Sequence, residues 1–178
     1  MSAGSKVERI KNAIENYPDF PKKGIIFRDL FPILQKPELF EDLIDVLCDH
    51  IKRNIPDVNG IVGLESRGFL IAPIIALKLK VPFLPIRKSG KLPGEVKKVD
   101  YSLEYGMDSL ELQVNAFTDI KKVVIIDDLL ATGGTMKAAI ELVQQVGTIV
   151  SECIVVIELM DLHGGRDLSV PHFSLVKI

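Results

Sequence analysis

Four apolar segments without polar alternation constrain the fold of this chain more than any other feature of its sequence. They cover residues 60–64, 82–86, 123–126 and 153–159, and they alternate with helical patterns. A strand that is apolar on both faces is typical of a parallel sheet that is covered on both sides. The sequence therefore predicts an α/β fold in which helices flank a mostly parallel, twisted sheet.

Apolar residues that recur at helical spacing predict four helices. The first covers 5–16, and the second begins at Pro37, a residue that suits the first position of a helix. The third ends at Leu79, and the fourth follows Thr135. The apolar face of the first helix consists of Val7, Ile10 and Ile14. That of the second consists of Leu39, Leu43, Val46, Leu47 and Ile51. That of the fourth consists of Met136, Ala139, Ile140 and Val143.

Two further segments fit neither the helical nor the strand period. Residues 17–23 contain two prolines and are predicted as a loop, which leads into a short apolar segment at 24–27. Residues 88–107 combine scattered charges with Gly90, Pro93, Gly94 and Gly106. A loop this long in a compact domain is usually functional or disordered, so we expect a functional loop here.

Composition and charge limit the class of protein. The chain has 178 residues, which suits one domain, and its 47% hydrophobic and 26% charged residues favour folding over disorder. A formal net charge of -2 gives no reason to expect a general nucleic-acid or membrane surface. No apolar run could span a bilayer, and residues 1–11 lack the apolar core of a secretory signal. We therefore expect a soluble, cytoplasmic protein.

The cysteines and histidines show no ligand spacing. Cys48 and Cys153 lie far apart, so we expect two reduced and buried thiols. His50, His163 and His172 are expected to be structural or surface residues. The sequence predicts no metal site built by the protein alone.

The stretch from Val123 to Met136, VVIIDDLLATGGTM, carries the most information about function. A buried strand brings Asp127 and Asp128 to its carboxyl end, and carboxylates accept strong hydrogen bonds from sugar hydroxyls. Helix-start amides and threonine hydroxyls bind phosphate, and glycines let the backbone approach it closely. The stretch therefore predicts a ribose-phosphate site, whose phosphate loop consists of Ala131, Thr132, Gly133, Gly134 and Thr135.

Two other phosphate motifs are excluded. Gly63 and Gly68 have the glycine spacing of the GxxxxGK[ST] loop, but Phe69 and Leu70 follow instead of lysine and a hydroxyl residue. No GxGxxG is present either. A tight strand-to-helix turn with two capping aspartates is the non-functional alternative for this stretch.

The stretch also resembles the fingerprint of the type I phosphoribosyltransferases: an apolar strand, two acidic residues, two apolar residues, then a small residue, Thr-Gly-x-Thr. Residues 123–135 match it without a gap. Further segments resemble the adenine-specific members of this family, and the resemblance extends over 17–176. These segments are YPDFP at 17–21, GIIFRD at 24–29, GLESRGF at 63–69, IRKSGKLPG at 86–94 and YSLEYG at 101–106.

The resemblance implies the family's fold and activity. It implies one domain over 1–178, with a small N-terminal hood over roughly 1–35 and a flexible catalytic loop over roughly 88–107. The implied reaction transfers the 5-phosphoribosyl group from phosphoribosyl pyrophosphate to adenine, as in purine salvage. The products are AMP and pyrophosphate.

The resemblance places a pyrophosphate site at two strand ends, with a non-proline cis peptide between Glu65 and Ser66. Ligands of such sheets bind beyond the carboxyl ends of the strands, so cations at both ends can converge. Taken alone, the cations would equally suit a solvated surface. The implied pyrophosphate-binding residues are Glu65, Ser66, Arg67, Arg87, Lys88 and Lys91.

The base and the proton-transfer group are assigned by the same resemblance. Ile26, Phe27 and Arg28 are implied to contact adenine, although a Phe after two isoleucines is more often a core residue. Glu104 and Tyr105 are implied to be catalytic, although a loop glutamate usually only adds solubility. Burial on loop closure would raise the pKa of Glu104 and let it exchange a proton with a purine nitrogen.

The cofactor and partners follow from the resemblance as well. It implies Mg²⁺ bound mainly through the substrate phosphates, since this ion prefers phosphates, waters and few carboxylates. It implies a homodimer, with adenine and phosphoribosyl pyrophosphate as substrates and neither nucleic acid nor membrane as a partner. Two alternatives stay open: a phosphoribosyltransferase for another purine base, and a non-catalytic purine-responsive regulator on the same fold.

Overall fold

The computed structural model describes residues 3–103 and 106–178. The chain divides into two compact units, one of which ends at His50 while the other begins at Ile51. The expected hood, roughly 1–35, lies within the first unit. That unit extends further because the first helix forms ion pairs with the helix that follows residue 36.

The first unit is built from two longer helices and one hairpin. Lys6 and Arg9 reach Asp42 at 3.1 and 2.8 Å, which joins the first and third helices. Ile10 and Leu43 are fully buried. The elements are α1 (Ala3–Asn12), β1 (Glu15–Pro18), β2 (Ile26–Asp29), α2 (Phe31–Leu34) and α3 (Pro37–Asn54), which continues past the boundary of the unit.

Three details of this unit differ from the sequence-based expectation. Helix α1 ends at Asn12 rather than at 16, and part of the predicted loop at 17–23 belongs to β1, which pairs with β2 in antiparallel register. Pro18 is the last residue of β1, which is an edge strand of a two-stranded sheet, and proline is tolerated on edge strands. In α3 the predicted face is buried except for Val46, which is half-buried.

The second unit contains the main sheet. Among the described residues, seven strands lie in the order β5-β6-β4-β3-β7-β8-β9, with parallel pairing from β4 to β9 and antiparallel pairing at β4-β6 and β5-β6. The prediction of a mostly parallel sheet flanked by helices is confirmed. The elements are β3 (Gly60–Leu64), α4 (Ala72–Leu79), β4 (Phe83–Lys88), β5 (Val96–Leu103), β6 (Gly106–Gln113), β7 (Lys122–Leu130), α5 (Gly134–Gln144), β8 (Ile149–Glu158) and β9 (His172–Lys177).

The core of this unit explains why the strands lack polar alternation. All of β3 is buried, and so are residues 123–126 of β7, because the sheet is covered on both faces. The predicted apolar face of α5 is buried as well: Met136, Ala139, Ile140 and Val143. A 3₁₀ turn covers Arg67–Leu70, so the helix expected to follow Gly68 begins only at Ala72.

The prediction of a loop throughout 88–107 is wrong for most of that segment. Residues 96–103 form β5, which pairs with β6 from Val96 opposite Gln113 to Leu103 opposite Gly106. Among its described side chains Val99 is buried, while its neighbours Lys98 and Asp100 are exposed. Charged residues on an edge strand hide the strand pattern and discourage pairing with another chain.

The final strand, β9, was not among the predicted strands. Its pattern is short, and it completes the edge of the sheet beside β8. Cys48 and Cys153 are buried and are not joined in a disulfide, as expected. No helix within the described ranges is long and apolar enough to cross a membrane.

Candidate functional site

The carboxyl end of β7 carries the acid pair predicted to bind ribose. Residues 123–126 anchor the strand in the core, and the pairing of β7 with β3 ends at Ile126. Asp127 and Asp128 therefore lie beyond this pairing, while β7 continues beside β8 to Leu130. Asp128 is buried with 5% of its surface exposed, and its backbone N–H donates to Asp127 Oδ1 at 2.9 Å. Two carboxylates are thus held side by side at the strand end.

The turn after β7 is shaped as the phosphate prediction requires. Gly133 has φ +83°, in the left-handed region that favours glycine, and α5 begins at Gly134. A pocket of about 230 Å³ lies over the turn. The sequence-predicted acid pair and all five phosphate-loop residues line this pocket, together with Arg67, Leu129, Leu130 and Met136.

The pair of carboxylates is electrostatically unfavourable without a ligand. Burial, followed by the neighbouring charge of Asp128, raises the pKa of Asp127 well above its usual range. Burial also raises the pKa of Asp128, although the guanidinium of Arg67 opposes this. Arg67 Nε lies 2.8 Å from Asp128 Oδ2. The site therefore holds one buried and one half-buried acid group beside the ion pair of Arg67 with Asp128. Hydrogen-bond donors from a sugar would compensate this charge.

The segment after β3 lies against the same strand end. The Glu65–Ser66 peptide bond is cis, as the resemblance implied. A Cβ on Gly68 would lie 2.8 Å from the carbonyl oxygen of Ile126 and 3.2 Å from Asp127 Oδ1. Only glycine fits this contact without a shift of the backbone, so the residues after β3 pack directly on the acid pair.

The other predicted cations gather around Glu65 rather than along the pocket. Arg87 donates from Nε and Nη2 to the two Glu65 oxygens, each at 3.1 Å, and Lys91 Nζ donates to Oε1 at 2.8 Å. The backbone N–H of Lys88 donates to Oε2 at 3.2 Å, whereas its side chain pairs with Asp108 at 3.0 Å. Hydrogen bonds from Arg87 and Lys91 outweigh the effect of burial and lower the pKa of Glu65 to about 2.

Glu65 therefore has a role that sequence reasoning missed. Its carboxylate is already occupied by cations, and it holds Arg87 and Lys91 in place beside the chain that leads to Arg67. The missed signal was an acidic residue inside a predicted anion site. Such a residue repels an anion, but it can order cations that would bind one.

A second missed contact supports the phosphate loop from behind. A Cβ on Gly164 would overlap the carbonyl oxygen of Ala131 and lie 2.8 Å from the backbone nitrogen of Gly133. A Cβ on Gly133 would in turn overlap the carbonyl oxygen of Gly164. The loop after β8 thus packs backbone to backbone on the phosphate loop, and no local pattern predicts that contact.

The residues assigned to the base lie on β2 of the first unit. Ile26 is exposed, and Phe27 is half-buried with its ring 5.3 Å from that of Phe20 in an edge-to-face arrangement. Arg28 donates from Nη1 to Asn16 Oδ1 at 2.5 Å. Phe27 is therefore not a fully buried core residue. Glu104 and Tyr105, the assigned catalytic pair, lie outside the described residues.

The donor set fits a metal ion brought by a substrate better than one held by the protein. The described residues contain no cluster of three or more His, Cys, Asp or Glu side chains that could hold a metal ion. The pocket wall offers two carboxylates, Asp127 and Asp128. An ion carried on phosphate oxygens needs few protein ligands, and these two residues could supply them.

Comparison with known proteins agrees with this geometry. The family model of the phosphoribosyl transferase domain matches residues 33–169. The chain is 50% identical over 177 residues to adenine phosphoribosyltransferase of Drosophila pseudoobscura pseudoobscura, covering 99% of this chain and 98% of that protein. It is 47% identical to adenine phosphoribosyltransferase 1 of Saccharomyces cerevisiae, covering 99% and 96%.

Solved structures of adenine phosphoribosyltransferases are also similar to this chain. The adenine phosphoribosyltransferase of Saccharomyces cerevisiae, crystallised with an imino-altritol bisphosphate and adenine, aligns with a TM-score of 0.92 at 44% identity and covers 97% of this chain and 99% of that chain. The enzyme of Trypanosoma brucei, in complex with AMP, pyrophosphate and ribose-5-phosphate, aligns with a TM-score of 0.86 at 31% identity and covers 97% and 79%.

Proposed function

The chain belongs to the adenine phosphoribosyltransferase family, and we propose from this premise that it transfers the 5-phosphoribosyl group of phosphoribosyl pyrophosphate to adenine. The products are AMP and pyrophosphate, so the reaction salvages a free purine. The observation that carries the proposal is the single pocket wall that joins Asp127 and Asp128 to the phosphate loop. One wall thus offers acceptors for a sugar and donors for its phosphate.

The phosphate loop, Ala131–Thr135, binds the 5-phosphate of the donor. Backbone N–H groups at the start of α5 and the hydroxyls of Thr132 and Thr135 donate to the phosphate oxygens. The positive end of the α5 dipole favours the negative charge. Asp127 and Asp128 accept hydrogen bonds from the ribose hydroxyls, which replace the water that burial removed from the carboxylates.

The pyrophosphate end of the donor meets the cations of the second unit. Arg67, Arg87, Lys88 and Lys91 neutralise the charge that builds up as pyrophosphate leaves, and the backbone around Ser66 adds donors. Glu65 acts on this site through Arg87 and Lys91, whose positions it fixes. Fixed cations stabilise a departing anion without the cost of reorganising solvent.

Bond changes at C1′ complete the reaction. The bond from C1′ to the pyrophosphate oxygen breaks with its electron pair on the leaving group, the ribose gains cationic character, and a ring nitrogen of adenine bonds to C1′. Glu104 exchanges a proton with a ring nitrogen of the base, and Tyr105 is assigned to the same catalytic pair. Closure of the segment around 88–107 excludes water, which would otherwise compete as the nucleophile.

The base is held by the backbone at Ile26, the ring of Phe27 and the region of Arg28. Among the described residues, the buried Nε of Arg28 has no hydrogen-bond partner, which supports a role for this guanidinium toward a ligand. An aromatic face such as that of Phe27 can stack on a purine.

The metal, the assembly and the location complete the proposal. Asp127 and Asp128 are the carboxylates that would lie near a Mg²⁺ ion carried mainly by the donor phosphates, and such an ion would neutralise phosphate charge. The enzyme is a homodimer in which Arg87 lies near the interface. It acts in the cytoplasm, where its two thiols, both buried, stay reduced.

Parallel assays with adenine, hypoxanthine, guanine and orotate test the proposal. We expect turnover with adenine and phosphoribosyl pyrophosphate, and much slower turnover with the other bases. Faster turnover with a 6-oxopurine would favour the alternative base specificity, because such a base needs a donor where adenine offers an amino group. Purine binding without turnover of any base would favour the regulator.

A further inference from the structure

Glu111 is a buried carboxylate outside the site residues described above, and it holds the turn that carries Lys91. It lies on β6 directly opposite Arg87 of β4, and 3% of its surface is exposed. Three consecutive backbone N–H groups donate to it: Gly90 to Oε2 at 2.9 Å, and Lys91 and Leu92 to Oε1 at 2.8 and 2.7 Å.

This arrangement resembles an anion-binding nest of the backbone in which a side chain of the protein replaces the free anion. Gly90 has φ +83°, which lets the turn point successive N–H groups toward one centre. Burial alone would raise the pKa of Glu111, but the N–H groups of Gly90, Leu92 and Lys91 outweigh that effect and hold it below its usual range. The carboxylate is thus charged, and it fixes the shape of the turn.

The turn at 90–92 also fixes two of the cations that we assign to pyrophosphate binding. Lys91 sends its Nζ to Glu65 Oε1 at 2.8 Å, and its carbonyl oxygen accepts from Arg87 Nη1 at 3.2 Å. A change in the turn would therefore move Lys91 directly and remove one of the hydrogen bonds that orient Arg87. None of these hydrogen bonds involves the phosphate loop.

We propose that Glu111 is a positioning residue for the pyrophosphate end of the donor: it orders the turn at 90–92 and through it Lys91 and Arg87. It touches no substrate atom. The inference rests on the proposed function, because it assumes that these cations receive pyrophosphate. It adds a residue that the family fingerprint does not contain.

The test replaces Glu111 by Gln, which keeps the size of the side chain but puts an amide donor where N–H groups converge. We expect affinity for pyrophosphate, measured by calorimetry, to fall about tenfold, on the scale for losing a partner that orients a ligand. The KM for the donor should rise similarly. Affinity for ribose-5-phosphate and the KM for adenine should stay within about twofold, since those ligands use other residues.

The matched control is Glu41→Gln, a change of the same kind at an exposed glutamate of α3. It should leave all four quantities unchanged. If Glu111→Gln does not fold, Gly90→Ala tests the same turn: its Cβ meets no atom within 4 Å, but φ +83° strains it. It should give the same selective loss of pyrophosphate affinity.

Two outcomes would overturn the inference. One is unchanged pyrophosphate affinity in both folded variants. The other is an equal loss of affinity for pyrophosphate and ribose-5-phosphate, which indicates a general structural defect. Wild-type protein that binds pyrophosphate but forms no AMP from adenine would refute the proposed function, while the binding comparison would still decide the role of Glu111.

Discussion

Asp127 is a residue that lowers the stability of the free protein as pH rises and that we assign to donor binding. Because its pKa is raised in the folded state, its protonated form favours folding at low pH, and that contribution is lost as pH rises through the folded pKa. At neutral pH the group therefore makes the free protein less stable than at low pH. The pKa of its neighbour Asp128 is raised by burial as well, but the guanidinium of Arg67 opposes that rise.

Asp127→Asn should consequently raise the melting temperature of the free protein while it weakens donor binding. We expect a rise of roughly 2–4 °C for each kcal/mol of relief. Adding Asp128→Asn should weaken donor binding further and leave the fold intact. Calorimetric titration with the donor and thermal unfolding at pH 7 measure both effects. Donor affinity within twofold of wild type in the double variant would contradict the assignment of this pair to ribose.

Glu104→Gln is the corresponding prediction for the chemical step. The amide keeps the size and hydrogen-bonding capacity of the side chain but cannot titrate. We expect kcat to fall by roughly 10²–10⁴-fold, the usual range for general acid–base catalysis, with much smaller changes in both KM values. Tyr105→Phe, which keeps the ring, should be milder. Near-normal kcat for Glu104→Gln in steady-state kinetics would leave Glu104 as an ordinary loop carboxylate.

At the scale of elements, the sequence predicts what is local. The strand, acid pair, glycine turn and helix around 123–136 follow one another along the chain, so periodicity and turn chemistry reveal them together. The contacts that position the site are not local: Glu65 meets Arg87 22 residues away, and Glu111 meets Lys91 20 residues away. Strand β5 was missed because only alternate side chains meet the core and the exposed ones are charged.

The packing of the loop after β8 on the phosphate loop gives a prediction at the same scale. Gly164→Ala places a methyl group against the carbonyl oxygen of Ala131, so one of the two loops must move. We expect affinity for ribose-5-phosphate to fall about 10- to 100-fold, since a displacement near 1 Å can cost that much. Affinity for pyrophosphate should change little, the reverse of the pattern expected for Glu111→Gln.

Isothermal calorimetry with both ligands checks this prediction. Gly4→Ala is a suitable control, because a Cβ there meets no atom within 4 Å and the residue lies in α1. Equal affinities for ribose-5-phosphate in Gly164→Ala and wild type would show that the phosphate loop does not depend on this contact.

At the scale of the whole molecule, the family resemblance predicts a homodimer with Arg87 near its interface. Light scattering should give twice the mass of the 19.7 kDa chain at micromolar concentrations. Arg87 is already bound to Glu65, so a partner would meet an ordered guanidinium rather than a free side chain. A monomer at every accessible concentration would contradict the prediction.

The response of the whole fold to acid follows from its paired carboxyl groups. Hydrogen bonds from Arg87 lower the folded-state pKa of Glu65 from 4.5 to about 2. A lowered pKa means that the stabilising contribution is complete above the unfolded value and is lost as pH falls through the folded value. The contribution of Glu65 should therefore be constant above pH 4.5 and disappear progressively as pH approaches 2. Asp127 and Asp128, with raised pKa values, act in the opposite direction.

Comparing wild type with Glu65→Gln isolates the Glu65 contribution from that background. Because Arg87 and Lys91 are partly exposed, we expect a difference in the free energy of unfolding on the order of 1 kcal/mol at neutral pH. Urea denaturation at several pH values between 7 and 2 should show this difference shrinking below pH 4.5. A difference that persists undiminished near pH 2 would mean that Glu65 stabilises the fold by packing rather than by its charge. In that case the cations around it would need another anchor to stay in place for pyrophosphate.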